Sequence, residues 1–354
     1  MVSIENIDKN LAVEKYFAKD GLVFYSVLDF PFKIYGITYE NGQFRRMPQS
    51  VAETVSPNVA WLNRNTSGGR VRFTTDSKTV AISAKMPHPI GKMAHFPLSG
   101  SAGFDMYVRL DGVDRYKGTF MPPYDITNGY EAKFPFDSAI KREITINFPL
   151  YSEVSELYIG LDEGATLGEA GQYIYDKPVV YYGSSITQGG CASRPGNSYP
   201  SMVSRRFDCD FVNLGFSGSA RGEVEIAEYI ANLDMKIFVY DYDHNAPSAD
   251  HLKNTHQRMF KIIREKNPDL PIIMMTSTSM PQCLDNKALR KEIIYNTYKE
   301  ALDNGDSNVY FLDGEEMFSE CEDFGTVEGC HPNDIGFLYI SRAVGDAIEK
   351  IISK

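Results

Sequence analysis

The chain has 354 residues, 43% hydrophobic and 23% charged, the proportions of a folded soluble protein and not of a disordered one. Lys and Arg number 36 against 47 Asp and Glu, leaving a net charge of −11 and no basic cluster with which to bind nucleic acid. No apolar run approaches the ~18–20 residues of a membrane span, so neither nucleic acid nor membrane is expected as a partner. The length predicts about two domains. Residues Met1–Asp8 lack the basic stretch and apolar core of a signal peptide, which makes the cytoplasm the expected location. Five cysteines (Cys191, Cys209, Cys283, Cys321 and Cys330) form no CxxC pair, so they read as reduced packing thiols, not as a disulfide framework or thiolate metal site.

From about Trp61 to Leu161 apolar residues recur at every second position. Val80, Ile82 and Ala84 share one face of Lys78–Lys85, Met106, Val108 and Leu110 repeat the pattern before the turn Asp111-Gly112, and Ile144, Ile146 and Phe148 repeat it again. Period two with short turns predicts half-buried antiparallel strands and hence a β-sandwich, jelly-roll-like in kind. Pro-rich stretches at Met86–Pro89 and Met121–Pro123 read as loops. After about Tyr175 solid apolar strands alternate with amphipathic helices. The predicted strands are Val179–Tyr182, Phe211–Leu214, Ile237–Tyr240, Ile272–Met275 and Val309–Leu312. The predicted helices are Tyr199–Phe207, Glu223–Leu233, Ala249–Lys266, Lys287–Leu302 and Asp334–Ile352. This is the pattern of a parallel sheet covered on both faces, a three-layer α/β/α (flavodoxin-like) domain. The expected division is 1–175 for the sandwich and 176–354 for the α/β domain.

In such sheets the chemistry lies beyond the carboxyl ends of the strands. The first strand ends in Gly183-Ser184-Ser185, a tight turn that can present a serine hydroxyl. The second ends in Gly215-Phe216-Ser217-Gly218, whose backbone N–H groups could face a developing oxyanion. The third ends in Asp241-Tyr242-Asp243-His244-Asn245, where an Asn amide could be another donor. Glu328-Gly329-Cys330-His331 precedes the last helix, and a carboxylate that orients a histidine beside a serine is triad logic. Each of these is weak alone; the four together fall where the crevice would gather them.

The four blocks, in order and approximate spacing, resemble those of the SGNH (GDSL-type) hydrolases from Lys177 onward. Gly103-Phe104-Asp105-Met106-Tyr107 also resembles the Gly-x-Asp-Leu-Tyr motif of a β-sandwich that precedes one branch of that family. The resemblance implies Ser185 as nucleophile, His331 as base and Glu328 as its orienting acid. It implies an oxyanion hole from the Ser185 and Gly218 N–H groups and the Asn245 side chain. It further implies an acyl-enzyme that needs no cofactor, and esters of acylated carbohydrates as substrates; a short acyl group such as acetyl is preferred because the chain shows no long apolar lid for a lipid tail. The sequence departs from the family pattern in three places: Ser184 for the usual Asp, Asp243 where a glycine is usual, and Glu328 for Asp.

Arg194, Asp243 and His244 are the further candidates for substrate contact, with Asn197 and Ser198 read equally well as helix caps. Asp241, Asp243, His244, Asp250, His251 and His256 have a metal-like composition but poor spacing, so no metal is expected. Trp61 and neighbouring aromatics serve either as core or as a sugar-stacking surface. A small-molecule or oligosaccharide ester is the expected partner, and a homo-oligomer is compatible with the sequence. Two rival functions remain open at this stage: a glycan-binding scaffold with a vestigial hydrolase domain, and an acyltransferase using the same acyl-enzyme.

Overall fold

The computed structural model describes residues 4–89, 93–278 and 284–353. Two antiparallel sheets make the first half. One has the order β1-β11-β6-β9, from Leu22–Ser26, Glu156–Asp162, Thr79–Lys85 and Gly129–Pro135. The other has the order β12-β5-β10-β7-β8, from Leu167–Gly168, Arg70–Thr75, Arg142–Asn147, Phe104–Leu110 and Val113–Phe120, with β2 (Lys33–Tyr35) beside β5. Alternate residues of both sheets meet in one core, with Val80, Ile82 and Ile159 from the first against Val71, Phe73, Met106 and Ile144 from the second. Burying each such side chain is worth roughly 1.5–3 kcal/mol, which is why the period-two pattern fixes which face turns inward. A short hairpin, β3 (Thr38–Glu40) with β4 (Gln43–Arg45), stands apart.

The second half is a five-stranded parallel sheet, β14-β13-β15-β16-β17, built from Cys209–Gly215, Tyr175–Gly183, Ile237–Asp241, Ile272–Met275 and Val309–Leu312. Numbered within this domain the order is 2-1-3-4-5, the doubly wound arrangement with a switch point beside the first strand. The five predicted strands all lie within these spans, and the helices Tyr199–Phe207, Val224–Ala231, Ala249–Lys266, Lys287–Asp303 and Asp334–Ile352 follow the predicted ones to within a few residues. Separate apolar clusters fill the two sides of the sheet.

Two features depart from the sequence reading. Trp61 lies on a helix, Pro57–Leu62, and not at the start of a strand. That helix and its neighbour Gln49–Val55 belong to the other core: Met47, Ala52, Val59 and Leu62 pack with Val180, Tyr182, Ile226 and Ile230. The chain therefore begins in the sandwich with β1 and β2, crosses to the α/β half for these two helices, returns to complete the sandwich, and only then builds the parallel sheet. A single cut at 175 does not separate the two cores, because apolar residues at helical spacing near 50–62 carry no label of the sheet they will cover. The halves also approach one another closely at two glycines. A Cβ on Gly100 would sit 2.1 Å from the Ala192 oxygen, and one on Gly196 would sit 2.3 Å from the Tyr107 hydroxyl, so only glycine allows either approach.

Candidate active site

The ends of β13, β14 and β15 and the turn before the last helix converge on Ser185. The residue opens a one-turn helix, Ser185–Gln188, whose N-cap is Ser184. The Ser184 hydroxyl accepts the Ile186 N–H at 3.1 Å, so serine does the capping work an Asp would do at this position. The helix stops at Gly189 in the left-handed region (φ 103°).

Ser185 Oγ lies 2.9 Å from His331 Nε2, and His331 Nδ1 lies 2.5 Å from Glu328 Oε1. A carboxylate can only accept, so Nδ1 carries the proton and Nε2 presents its lone pair to the serine hydroxyl. Glu328 Oε1 also accepts the His331 backbone N–H at 3.1 Å, which folds the turn back on itself. The extra methylene of Glu is absorbed there, with Gly329 at φ 88°. Partial burial opposes ionisation of Glu328, but the hydrogen bonds from the His331 ring and backbone outweigh it and hold the carboxyl below its usual range. Asn333 caps the following helix through the Ile335 and Gly336 N–H groups at 2.9 and 3.1 Å, anchoring the histidine turn.

The oxyanion side differs in detail from the expectation. Asn245 Nδ2 donates to the Phe216 carbonyl at 2.9 Å, while Asn245 Oδ1 accepts the Gly218 N–H at 3.1 Å. The Gly218 donor is thus committed to Asn245 and does not face an empty hole. The second Nδ2 hydrogen of Asn245 and the N–H of Ser185, at the first turn of its helix, are the donors that remain. Gly218 itself is left-handed (φ 64°) with open space where a side chain would stand.

Two of the three substrate-contact candidates turn elsewhere. Asp243 is buried, with Oδ1 3.2 Å from Arg290 Nη1 and Oδ2 accepting the Ser277 N–H at 3.0 Å. Burial raises its carboxyl and those partners counter the effect. It therefore points away from the oxyanion side. Arg194 stacks 4.0 Å above the Tyr116 ring and lies 3.5 Å from buried Asp105, so it faces the sandwich. His244 does stand beside the site: both ring nitrogens are shielded and without hydrogen-bond partners, and burial, with the nearby His331 adding to it, pushes its pKa down to about 3. The metal-like set is scattered. His256 Nδ1 meets Thr297 Oγ1 at 2.9 Å inside the core, and His251 Nε2 meets the Arg221 carbonyl at 2.8 Å. Asn197 and Ser198 serve the loop after the Ser185 helix: Asn197 Nδ2 donates to Asp334 Oδ2 at 2.8 Å, and Ser198 is the N-cap residue of the next helix, though its hydroxyl makes no capping bond.

What the sequence reading missed is which residues of the first half hold the Ser185–Gln188 helix. Tyr151 OH donates to the Ser185 carbonyl at 3.2 Å and Ser67 Oγ to the Gln188 carbonyl at 2.6 Å, while Asn65 Oδ1 and the Leu150 carbonyl accept from Gln188 Nε2 at 3.0 and 3.1 Å. Arg46 is buried and donates to the carbonyls of Leu62, Asn213 and Gly215, with its guanidinium 4.3 Å from the Phe216 ring. Burial lowers its pKa to about 9. Phe96 lies over the site, 5.7 Å from the His331 ring and 4.8 Å from Tyr151. The Gly103–Tyr107 segment does not reach the crevice; its buried Asp105 accepts the Gly196 N–H at 2.9 Å and Asn147 Nδ2 at 2.7 Å, and so fixes the loop that follows the Ser185 helix. These are long-range pairings between polar residues of ordinary type, and no local pattern marks them.

Comparison with known proteins bears on the same residues. The model of a GDSL-like lipase/acylhydrolase family matches 176–353, and that of the N-terminus of SGNH-hydrolase-type esterases, the GxDLY domain, matches 22–167. None of the curated proteins matches the chain. Among solved structures, a GDSL-like lipase candidate from Bacteroides ovatus is 28% identical, with a TM-score of 0.85 over 94% of this chain and 98% of that one. The salicylyl-acyltransferase SsfX3 of a tetracycline biosynthetic pathway is 21% identical, with a TM-score of 0.74 over 94% and 98%. A family two carbohydrate esterase from Clostridium thermocellum, also solved with cellohexaose, is 12% identical, with a TM-score of 0.61 over 91% and 98%. At such identities the last two show a shared fold. Among the described residues no helix is long and apolar enough to cross a membrane.

Proposed function

Because the chain belongs to the GDSL-like lipase/acylhydrolase family and is an SGNH-type ester hydrolase, we propose that it removes short acyl groups, acetyl foremost, from a carbohydrate through a Ser185 acyl-enzyme. The observation that carries the reading is the unbroken chain from Ser185 Oγ through His331 to Glu328, at 2.9 and 2.5 Å.

Ser185 Oγ attacks the ester carbonyl as His331 Nε2 takes its proton. Glu328 holds the ring in the tautomer that permits this and stabilises the imidazolium that results. The carbonyl oxygen becomes an oxyanion facing the Ser185 N–H and the Asn245 amide, donors that strengthen as charge develops. Collapse breaks the bond to the sugar oxygen, which leaves with the proton from His331. Water then repeats the sequence on the acyl-enzyme: His331 takes its proton, the acid departs, and Ser185 Oγ recovers the proton. Every proton taken is returned, so no external acid or base is needed.

The preference for a small acyl group is supported by the aromatic pair beside the triad: Phe96 lies 5.7 Å from the His331 ring and edge to face with Tyr151 at 4.8 Å, and Tyr151 OH meets the Ser185 carbonyl. The carbohydrate preference is supported by the fold shared with family two carbohydrate esterases. The test compares initial rates on 4-nitrophenyl acetate, 4-nitrophenyl octanoate and acetylated xylo- and cello-oligosaccharides, for the whole protein and for Ser185→Ala. The expected result is faster acetate than octanoate release, acetic acid from at least one sugar ester, and loss of all of it in the variant. Octanoate preferred over acetate, or no release from any sugar ester, would overturn the substrate assignment; an active Ser185→Ala would overturn the nucleophile.

A further inference from the structure

Around the catalytic histidine lies a second set of groups that the hydrolytic cycle does not use. His95, from the segment that joins β6 to β7 in the sandwich, places its ring 5.5 Å from the His331 ring. Cys191, just after the nucleophile helix, is a buried thiol in the left-handed region (φ 71°). One donor atom from each of His95, Cys191 and His331 can be chosen so that all three lie within 4.8 Å of one another. Glu328, Cys330 and His331 form a second such set that shares the imidazole.

We propose that His95, Cys191 and His331 form a binding site for a thiophilic divalent cation, zinc above all, and that its occupation reversibly silences the esterase. Zinc holds nitrogen at about 2.0–2.1 Å and sulfur at about 2.3 Å, so donors around a tetrahedral ion stand roughly 3.3–3.8 Å apart. The observed spread therefore needs closure by about an ångström, and His95, exposed and on a loop, is free to supply it. One thiolate and two imidazoles favour zinc or cadmium over magnesium or calcium, which take oxygen. The charge balances as well. The ion displaces the Cys191 proton to solvent, and its two positive charges meet one thiolate and the Glu328 carboxylate close by.

Silencing follows from which lone pair the ion takes. Bound at His331 Nε2, it occupies the atom that accepts the Ser185 proton. Bound at Nδ1, it forces the single ring proton onto Nε2, which then has nothing to accept with. In either case the serine loses its base. Three protein ligands leave a fourth position for water.

This silencing rests on the serine-esterase reading; the binding itself does not, and the experiment separates them. The purified whole protein, stripped with chelator and kept reduced, is titrated with ZnCl2 or MgCl2 during 4-nitrophenyl acetate hydrolysis, and separately with CoCl2 while near-ultraviolet absorption is recorded. The expected results are inhibition by zinc near one ion per chain, none by magnesium, recovery with chelator, and a cobalt–thiolate charge-transfer band. His95→Ala and Cys191→Ala, each referred to its own metal-free rate, should raise the half-inhibitory zinc concentration by at least about tenfold, since even outer-shell changes cost that much. Cys191→Ala should also lose the cobalt band. Equal zinc sensitivity in wild type and both variants, or a cobalt band that is absent or that survives Cys191→Ala, would overturn the site. If the band behaves as expected but the protein hydrolyses no ester, the site stands and the esterase reading falls.

Discussion

Replacing Asn245 by alanine removes two things at once. The first is the oxyanion donor of the proposed reaction, whose loss typically lowers kcat by roughly 10²–10³, or about 2.7–4 kcal/mol of transition-state stabilisation. The second is a brace: the Asn245 amide ties together the Phe216 carbonyl at 2.9 Å and the Gly218 N–H at 3.1 Å, and so holds the turn after β14. Leaving the Phe216 carbonyl without its partner should cost about 1–3 kcal/mol of folding stability. Asn245→Asp separates the two roles. It keeps an oxygen for the Gly218 N–H but sets negative charge against the Phe216 carbonyl and beside the oxyanion. The aspartate variant should therefore be slower than the alanine variant, although it is nearly isosteric with the original. The assay is kcat and KM on 4-nitrophenyl acetate together with thermal unfolding of the three proteins. KM should change little, because the donor engages charge that develops after binding. A kcat loss under about threefold in Asn245→Ala, a change confined to KM, or an aspartate variant faster than the alanine one would refute the assignment.

Other outcomes follow from the same geometry. Glu328→Gln should lower kcat steeply, by as much as ~10⁴, because its amide can present N–H to Nδ1 and favour the wrong tautomer; Glu328→Ala should be milder, and the reverse order in measured kcat would contradict the orienting role. Arg46→Met should cost several kcal/mol in chemical denaturation, since carbonyls of Leu62, Asn213 and Gly215 lose a shared donor at about 1–3 kcal/mol for each one left unpaired; a change below ~1 kcal/mol would show that they find other partners. Asp241 is raised to about 7 by burial, partly offset by its hydrogen bond to Thr187. With the folded value above the unfolded one, its contribution is full below pH ~4 and lost as pH rises through 7. Asp241→Asn should thus gain melting temperature over wild type between pH 5 and 8, and a gap independent of pH would count against a raised carboxyl.

Legibility in the sequence followed the range of the interaction. The parallel strands were visible because each is a solid apolar run that must be buried on both faces, and the hydrogen-bonded chain of Ser185, His331 and Glu328 because these residues sit at strand and helix ends that the topology gathers. The turn Glu328–His331 was readable since three residues span the bond. What stayed hidden was held by partners far off in the chain: Gly218 bound to Asn245, Asp243 drawn off by Arg290, Arg194 drawn off by Asp105, and Ser185 gripped through Tyr151. Such pairings depend on the folded shape, within the α/β half for Gly218 and Asp243 and at the junction of the two halves for Arg194 and Ser185. Neither charge, periodicity nor spacing encodes it.

The early helices that cross into the later core also set a timetable for synthesis. Arg46 finds its carbonyl partners 167 and 169 residues further along the chain. At ribosomal rates of roughly 5–20 residues per second, that interval lasts on the order of ten to thirty seconds. Throughout it Met47, Ala52, Val59 and Leu62 have no β-sheet to cover, and a guanidinium destined for burial stays in water. The nascent chain thus carries a sticky amphipathic segment that only its own last half can satisfy. Its folding yield should depend on chaperone supply more than that of a protein whose domains close in the order they are made.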